Sequence, residues 1–309
     1  MLAGMKKHSS KYRPKILHAY QHHLCSVAGL SPHTCQNHGR DIGRFLAAVP
    51  IRRAAELAKL TPVSLTRYLT ARSTEYHPNS LRLVAGSLRR FLRFAQQRGW
   101  IGQSLHRAVP PIACRVHHDL PAYLTESQLD LLLASWDRGT AQGRRDRAIG
   151  LCLARLGLRA GEVAAMVLED LDWRHGVLRL PQSKNGRAAQ LPLLAEVGQS
   201  IAHYLRAGRP PCRCREVFVN HRSTQPLSRQ SIGRLIRRAL RGCGLEFPRL
   251  GAHLLRHTLA SHLVQNGASL KETADLLRHR HLNSTAVYAH VNLAQLRSVA
   301  QPWPKEATP

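Results

Sequence analysis

One pattern recurs along nearly the whole chain: a Ser, Thr or Pro that opens a helix, then apolar residues at three- and four-residue steps. Ser31-Pro32 precedes Ile42, Phe45 and Leu46, Thr61-Pro62 precedes Leu65 and Leu69, and Pro78 precedes Leu81, Val84, Leu88, Leu92 and Phe94. A serine or threonine in that place accepts from the unpaired N–H groups of the first turn, and a proline at the first helical position has no N–H to leave unpaired. The period changes most clearly in one place. Val177-Leu178-Arg179-Leu180 and Gln190-Leu191-Pro192-Leu193 flank an Asn185-Gly186 pair, a hairpin signature. A chain patterned this way is restricted to a mainly α fold with one small sheet.

The 309 residues leave room for two cores of ordinary size. Residues 1–10 read as a mobile basic start. Residues 11–109 carry four helical segments, the first from about Lys11 to Val27 and the last ending before Gly99, and read as a separate all-α four-helix bundle. Pro110-Pro111 through Pro121 has no helical period and reads as a linker. Residues 122–309 form the second, α+β domain. It opens on the capping-box pattern Thr125-Glu126-Ser127-Gln128 with Leu129, Leu132 and Leu133 as a core face. Helices are expected from Arg144 to Leu156, from Leu193 to Leu205 and from Ser228, with a strand at Val217-Phe218-Val219.

Charge identifies the partner class. Lys and Arg number 46 against 18 Asp and Glu, a formal net charge of +28, and the pI is near 11.3. Such a surplus attracts polyanions, and nucleic acid is the expected partner, with affinity that falls steeply as salt rises. Two helices concentrate the charge: the fourth carries Arg82, Arg89, Arg90, Arg93 and Arg98, and the one after Ser228 carries Arg229, Arg234, Arg237, Arg238 and Arg241. A solvated face is the alternative reading of each; phosphate contact suits the overall charge better. No apolar run approaches the ~20 residues of a membrane-spanning helix, and the start lacks a signal-peptide core, so a cytoplasmic, DNA-associated protein is expected. The seven cysteines are scattered and odd in number, which speaks against a disulfide framework. Cys212 and Cys214 lack the second pair that structural zinc requires.

The chemistry concentrates in the stretch from Gly251 to Val291. Leu255, Leu259 and Leu263 make an apolar seam, and His253 and Arg256 rise from one helical face. Gly267 stops that helix, and Ser269 with Glu272 caps the next, which carries Leu270, Ala274 and Leu277. His279 follows, then an Asn283-Ser284-Thr285 cluster able to cap a short helix bearing Tyr288. An arginine clamps phosphate, and a phenol attacks phosphorus when a neighbour takes its proton. His253 and His257 also stand four apart, a spacing that zinc enzymes use. The glutamate of that motif is absent, though, and Arg256 would repel a dication.

His253-Leu254-Leu255-Arg256, Leu277-Arg278-His279 and Tyr288 closely resemble the signature of the tyrosine recombinases, the phage-integrase and Xer family. Arg278 stands where that family usually has Gly. Gly157-Leu158-Arg159-Ala160-Gly161-Glu162 is similar to the family's first arginine box, and the Ser-Pro opening and Arg-rich fourth helix resemble its core-binding, SAM-like domain. The resemblance makes Arg159 a phosphate clamp supported by Glu162; a surface salt bridge between the two is the alternative that spacing permits. It also places the catalytic lysine on the hairpin at Lys184, with Arg187 as the substitute.

What the family implies is cleavage and rejoining of DNA without metal, ATP or other cofactor. Tyr288 would form a 3′-phosphotyrosyl bond, Arg159 and Arg256 would hold the non-bridging oxygens, and Lys184 would protonate the leaving 5′-oxygen. His253 would accept or position a proton, and His279 would bond the phosphate. It further implies a homotetrameric synapse on two double-stranded DNA sites, with accessory DNA-bending or sister recombinase proteins as further partners and no membrane. Leu293, Leu296 and Val299 form a tail stripe that docks on a neighbouring protomer or on its own domain. Two other readings stay open: strand relaxation like that of a type IB topoisomerase, and an inactive relative that occupies DNA.

Overall fold

The computed structural model describes residues 13–51, 53–102, 104–113, 122–181, 188–248 and 250–278, together with Thr285 and Tyr288. The chain divides into two compact units between His117 and His118.

In the first unit, helices α1 (Arg13–Ser26), α2 (Pro32–Ala48), α3 (Pro62–Ser73) and α4 (Pro78–Gln97) follow the sequence pattern closely. Ser31 and Thr61 cap α2 and α3 by accepting from Thr34 N–H and Ser64 N–H, and each helix has proline in its first turn. A six-residue 3-10 turn, Ala54–Lys59, which the pattern did not announce, delivers buried Leu57 to the core. Edge-to-face aromatic pairs tie the helices together: Tyr20 meets Phe91 at 5.2 Å, and Phe45 meets Tyr68 at 5.0 Å. Such pairs contribute about 0.5–1.5 kcal/mol beyond area burial.

The second unit is built around α6 (Ala141–Arg155). It starts three residues before the expected Arg144 because the Thr140 hydroxyl accepts from Gly143 N–H. Its residues from Ala148 to Ala154 are buried on every side. A helix apolar all round must be covered all round, and α5 (Glu126–Ala134), α7 (Ala160–Ala165), α8 (Ala195–Ala207), α9 (Arg229–Gly242) and α10 (Ala252–Gln265) pack on it. Gly150 leaves the room that Trp136 fills, since a Cβ there would lie 2.4 Å from its ring.

The hairpin strands β2 (Val177–Leu180) and β3 (Ala189–Pro192) pair antiparallel, with Leu178 opposite Leu191, and β1 (Leu171–Asp172) adds to the outer edge of β2. The Asn185-Gly186 turn lies outside the described residues. The expected strand at Val217–Val219 is a correction. The segment is fully buried, yet it makes only isolated bridges, Val167 with Glu216 and Val219 with Pro226. Its backbone is satisfied in other ways: Val217 N–H donates to Met166 C=O, Leu227 N–H donates to Phe218 C=O, and the Val219 carbonyl accepts from Arg145. Helix α11 (Leu270–Leu276) is capped by Ser269 and Glu272 as the pattern requires.

Among the described residues no helix is long and apolar enough to cross a membrane. The sulfurs of Cys212 and Cys214 lie 2.8 Å apart. No group of three His, Cys, Asp or Glu side chains among the described residues is placed to hold a metal ion.

Candidate active site

The end of α6 sets the first arginine. Gly157 takes φ +58°, the left-handed conformation that closes a helix at least cost to glycine. The next residue, Leu158, drops into the core, and Arg159 becomes the N-cap of α7. Arg159 N–H donates to Glu162 Oε2 at 2.8 Å, and its Nη1 donates to Glu162 Oε1 at 2.9 Å. The salt bridge that spacing permits is therefore formed, while the Arg159 side chain stays 45% exposed. Burial alone pushes the Glu162 carboxyl up. The Arg159 N–H and the charges of Arg278 and Arg159 outweigh it and hold the group below the usual carboxylate range.

Helix α10 supplies the second. Arg256 is only 2% exposed and donates from Nη1 to the Gly157 carbonyl and from Nη2 to the Leu277 carbonyl. One guanidinium thus joins the end of α6, the middle of α10 and the end of α11. Burial, followed by the charges of Arg159 and Arg278, lowers its pKa to about 10, so it remains a cation at neutral pH.

His253 and His257 lie on successive turns of α10, with ring centroids 4.3 Å apart and nearly perpendicular. His253 is exposed at its rim. Crowding by the surrounding protein, then the positive Arg256 and Arg159, lower its pKa below the ordinary value, so it is neutral at physiological pH. The Tyr288 ring is 2% exposed and packs with Ala260, Val264 and Leu277. Its hydroxyl lies 2.5 Å from His257 Nδ1. Burial raises the phenol to about 12 against the opposing charge of Arg256, so it carries its proton at neutral pH.

The structure therefore brings together Arg159, His253, Arg256 and Tyr288. Lys184 and its substitute Arg187 lie outside the described residues, as do His279 and the tail stripe Leu293, Leu296 and Val299. Sequence reasoning considered His257 only as a metal ligand. No local signal places it beside Tyr288, which lies 31 residues further along the chain. It also missed what Arg278 does. That residue follows α11 with φ +54°, and its Nη2 donates to Glu162 Oε2 at 2.8 Å.

The two arginine-rich helices differ in detail. On α4, Arg82, Arg90, Arg93 and Arg98 are exposed, with Arg98 lying over Trp100. Arg89 departs from the expected role because its Nη2 donates to the Val109 and Pro110 carbonyls at 3.2 and 2.8 Å, holding the chain after the bundle. On α9, Arg229, Arg234 and Arg237 are exposed opposite the buried Ile232, Ile236 and Leu240. Arg234 also donates to Ser231 Oγ at 3.4 Å.

The sequence profile of the phage integrase family matches residues 122–295, and that of the phage integrase N-terminal SAM-like domain matches residues 17–99. The chain belongs to the phage integrase family. A putative integrase/recombinase of Sinorhizobium fredii, y4rA, is 38% identical over 293 residues, covering 94% of this chain and 71% of the relative. The tyrosine recombinase XerC of Pelobacter propionicus is 28% identical over 296 residues, covering 95% of this chain and 96% of the relative. Among solved structures, a lambda integrase tetramer bound to a Holliday junction has the same fold, with a TM-score of 0.69 at 21% identity. That likeness covers 97% of this chain and 81% of the other. This integrase-family chain stands accordingly in the expected enzyme class, site-specific DNA strand breakage and rejoining.

Proposed function

We propose that this protein is a tyrosine-type site-specific DNA recombinase that cuts one strand through a 3′-phosphotyrosyl bond on Tyr288 and rejoins it to a new partner. The observation that carries the reading is the Tyr288 hydroxyl 2.5 Å from His257 Nδ1, on the same helix as Arg256, whose positive charge acts on the phenol. A phenol raised to about 12 attacks only if its proton is taken as it moves. With Nδ1 as acceptor, His257 takes that proton and keeps its own hydrogen on Nε2.

The Tyr288 oxygen forms a bond to phosphorus, and the bond from phosphorus to the 5′-oxygen breaks. The leaving oxygen takes a proton from Lys184. Arg159 and Arg256 hold the two non-bridging oxygens, where negative charge grows, and His253 and His279 complete the hydrogen bonds to the phosphate. Attack by the 5′-hydroxyl of another strand reverses every step, so no external energy source enters. The first unit, with Arg82, Arg90 and Arg93, and helix α9, with Arg229, Arg234 and Arg237, would contact backbone phosphates. Residues 110–121 would be the linker between the two DNA-holding domains. The lambda integrase tetramer on a Holliday junction supports a synapse of four protomers on two DNA sites.

The test is incubation in EDTA, without nucleotide, with duplexes from the DNA flanking the gene that carry a nick just beyond the cleavage point. The freed end diffuses away and the reaction stops at the protein–DNA adduct. An adduct on a 3′-phosphate supports the proposal. Tight binding without adduct would point to a DNA-occupying relative. Relaxation of supercoils with no exchange between sites would point to topoisomerase chemistry.

A further inference from the structure

We infer that Arg278 is a positioning residue: by sharing the Glu162 carboxylate with Arg159, it fixes the Arg159 guanidinium for the substrate phosphate. The inference rests on the proposed role of Arg159 as a phosphate clamp. Glu162 Oε1 accepts from Arg159 Nη1 at 2.9 Å, and its Oε2 accepts from Arg159 N–H and from Arg278 Nη2, both at 2.8 Å. The Arg278 carbonyl in turn accepts from Arg159 Nη2 at 3.4 Å. Arg159 is thus held at three points, each ending on Arg278 or on the carboxylate that Arg278 grips. The neighbouring Leu277 carbonyl holds Arg256. A single two-residue turn therefore supports both clamps.

This arrangement persists against two opposing costs. Arg278 has φ +54°, where a residue with a Cβ is disfavoured and glycine is not. Its Nη1 is buried with no hydrogen-bond partner among the described residues, which also disfavours the folded state. In return, its side chain and that of Glu162 are 14% and 13% exposed, where pairing is only weakly screened by water. The cations around Glu162 come from several elements: Arg159 at the start of its own helix, Arg278 after α11 and Arg256 on α10. Arg229 of α9 packs against Gly161. A carboxylate given wholly to Arg159 would neutralise that guanidinium. Divided between two, it fixes Arg159 in place and leaves part of its charge for the phosphate.

The experiment compares Arg278→Gly and Arg278→Lys in the full chain, each alone and combined with Glu162→Gln. If backbone strain were all that mattered, glycine would equal or exceed the wild type and lysine, with the same Cβ, would only match it. The inference predicts the opposite order. Arg278→Gly should slow adduct formation on nicked DNA by about tenfold, the order expected from losing one hydrogen bond to a charged group. Arg278→Lys, which keeps the charge, should lose less than Arg278→Gly does. In the Glu162→Gln background, Arg278→Gly should add little further loss. Carboxyl NMR of ¹³C-glutamate-labelled protein, which needs no DNA, should show Glu162 titrating at higher pH in Arg278→Gly.

A wild type that forms adduct while Arg278→Gly matches it in rate and in Glu162 titration overturns the inference alone. A wild type that forms no adduct overturns the clamp reading, and the positioning role with it. The Glu162 titration would then still report whether the pair itself exists.

Discussion

Gly157→Ala tests whether the end of α6 is the joint on which the site is built. At φ +58° a residue with a Cβ is disfavoured by about 1–2 kcal/mol. The new Cβ would also lie 2.8 Å from Leu277 Cδ2 and 2.9 Å from Leu259 Cδ2, closer than packed carbons tolerate. Overpacking costs about 1–3 kcal/mol, and the low end applies here because both neighbours are leucine tips that can swing. The expected loss is about 2–4 kcal/mol in all. Leu277 packs on Tyr288, and Arg256 bonds the Gly157 carbonyl, so the displacement reaches both the nucleophile and a clamp. Hydrogen exchange of the α6 and α10 amides reads the opening free energy of this unit without requiring the other to unfold. Adduct formation on nicked DNA, measured on the same protein, should fall by at least tenfold, since small misplacements at such sites carry costs of that order. A loss under about 0.5 kcal/mol with an unchanged rate would show that the joint tolerates a side chain, and the reasoning would fail.

Other outcomes follow from the same geometry. His253 is held below its ordinary pKa by crowding and by Arg256 and Arg159, so it acts in the neutral form. The His253 ring, followed by NMR in the protein without DNA, should therefore titrate below pH ~6.5; a midpoint above that value would refute the assignment. Thr258→Val removes the hydroxyl that accepts from Leu124 N–H at 3.0 Å in a buried place. It should cost about 1–3 kcal/mol in chemical denaturation. Replacing Arg90 or Arg93 by Ala should lower the slope of log affinity against log salt by about 0.9 each, measured by titration of duplex DNA at several salt concentrations. Arg89→Ala should instead lower the stability of the first unit, because its guanidinium holds the Val109 and Pro110 carbonyls.

Much of the fold was legible because its signals are local. Ser31, Thr61, Thr125 and Ser269 each cap the helix that their position announces. Period and propensity are enough where an element satisfies its own backbone, as a helix does. They fail at Val217–Val219, whose apolar run reads as a strand but whose partners are a loop carbonyl, a side chain and an isolated bridge. In the site, the Arg159 box and the His253–Arg256 step were visible as spacings. The place of His257 beside Tyr288 and that of Arg278 beside Glu162 were not, because each joins residues more than thirty apart or from different elements. Arg278 showed in the sequence only as a departure from the family's glycine. Its positive φ explains why glycine is usual there, and its ion pair shows what the arginine adds.

The most direct test of the central claim is to digest the trapped protein–DNA adduct with trypsin and find the nucleotide-bearing peptide by mass spectrometry. A single modified residue, Tyr288, is expected, and loss of the adduct in Tyr288→Phe. Tyr204→Phe should leave it intact, since that ring is stacked in the core on Phe218. A nucleotide on any other residue, or an adduct that survives Tyr288→Phe, would contradict that claim.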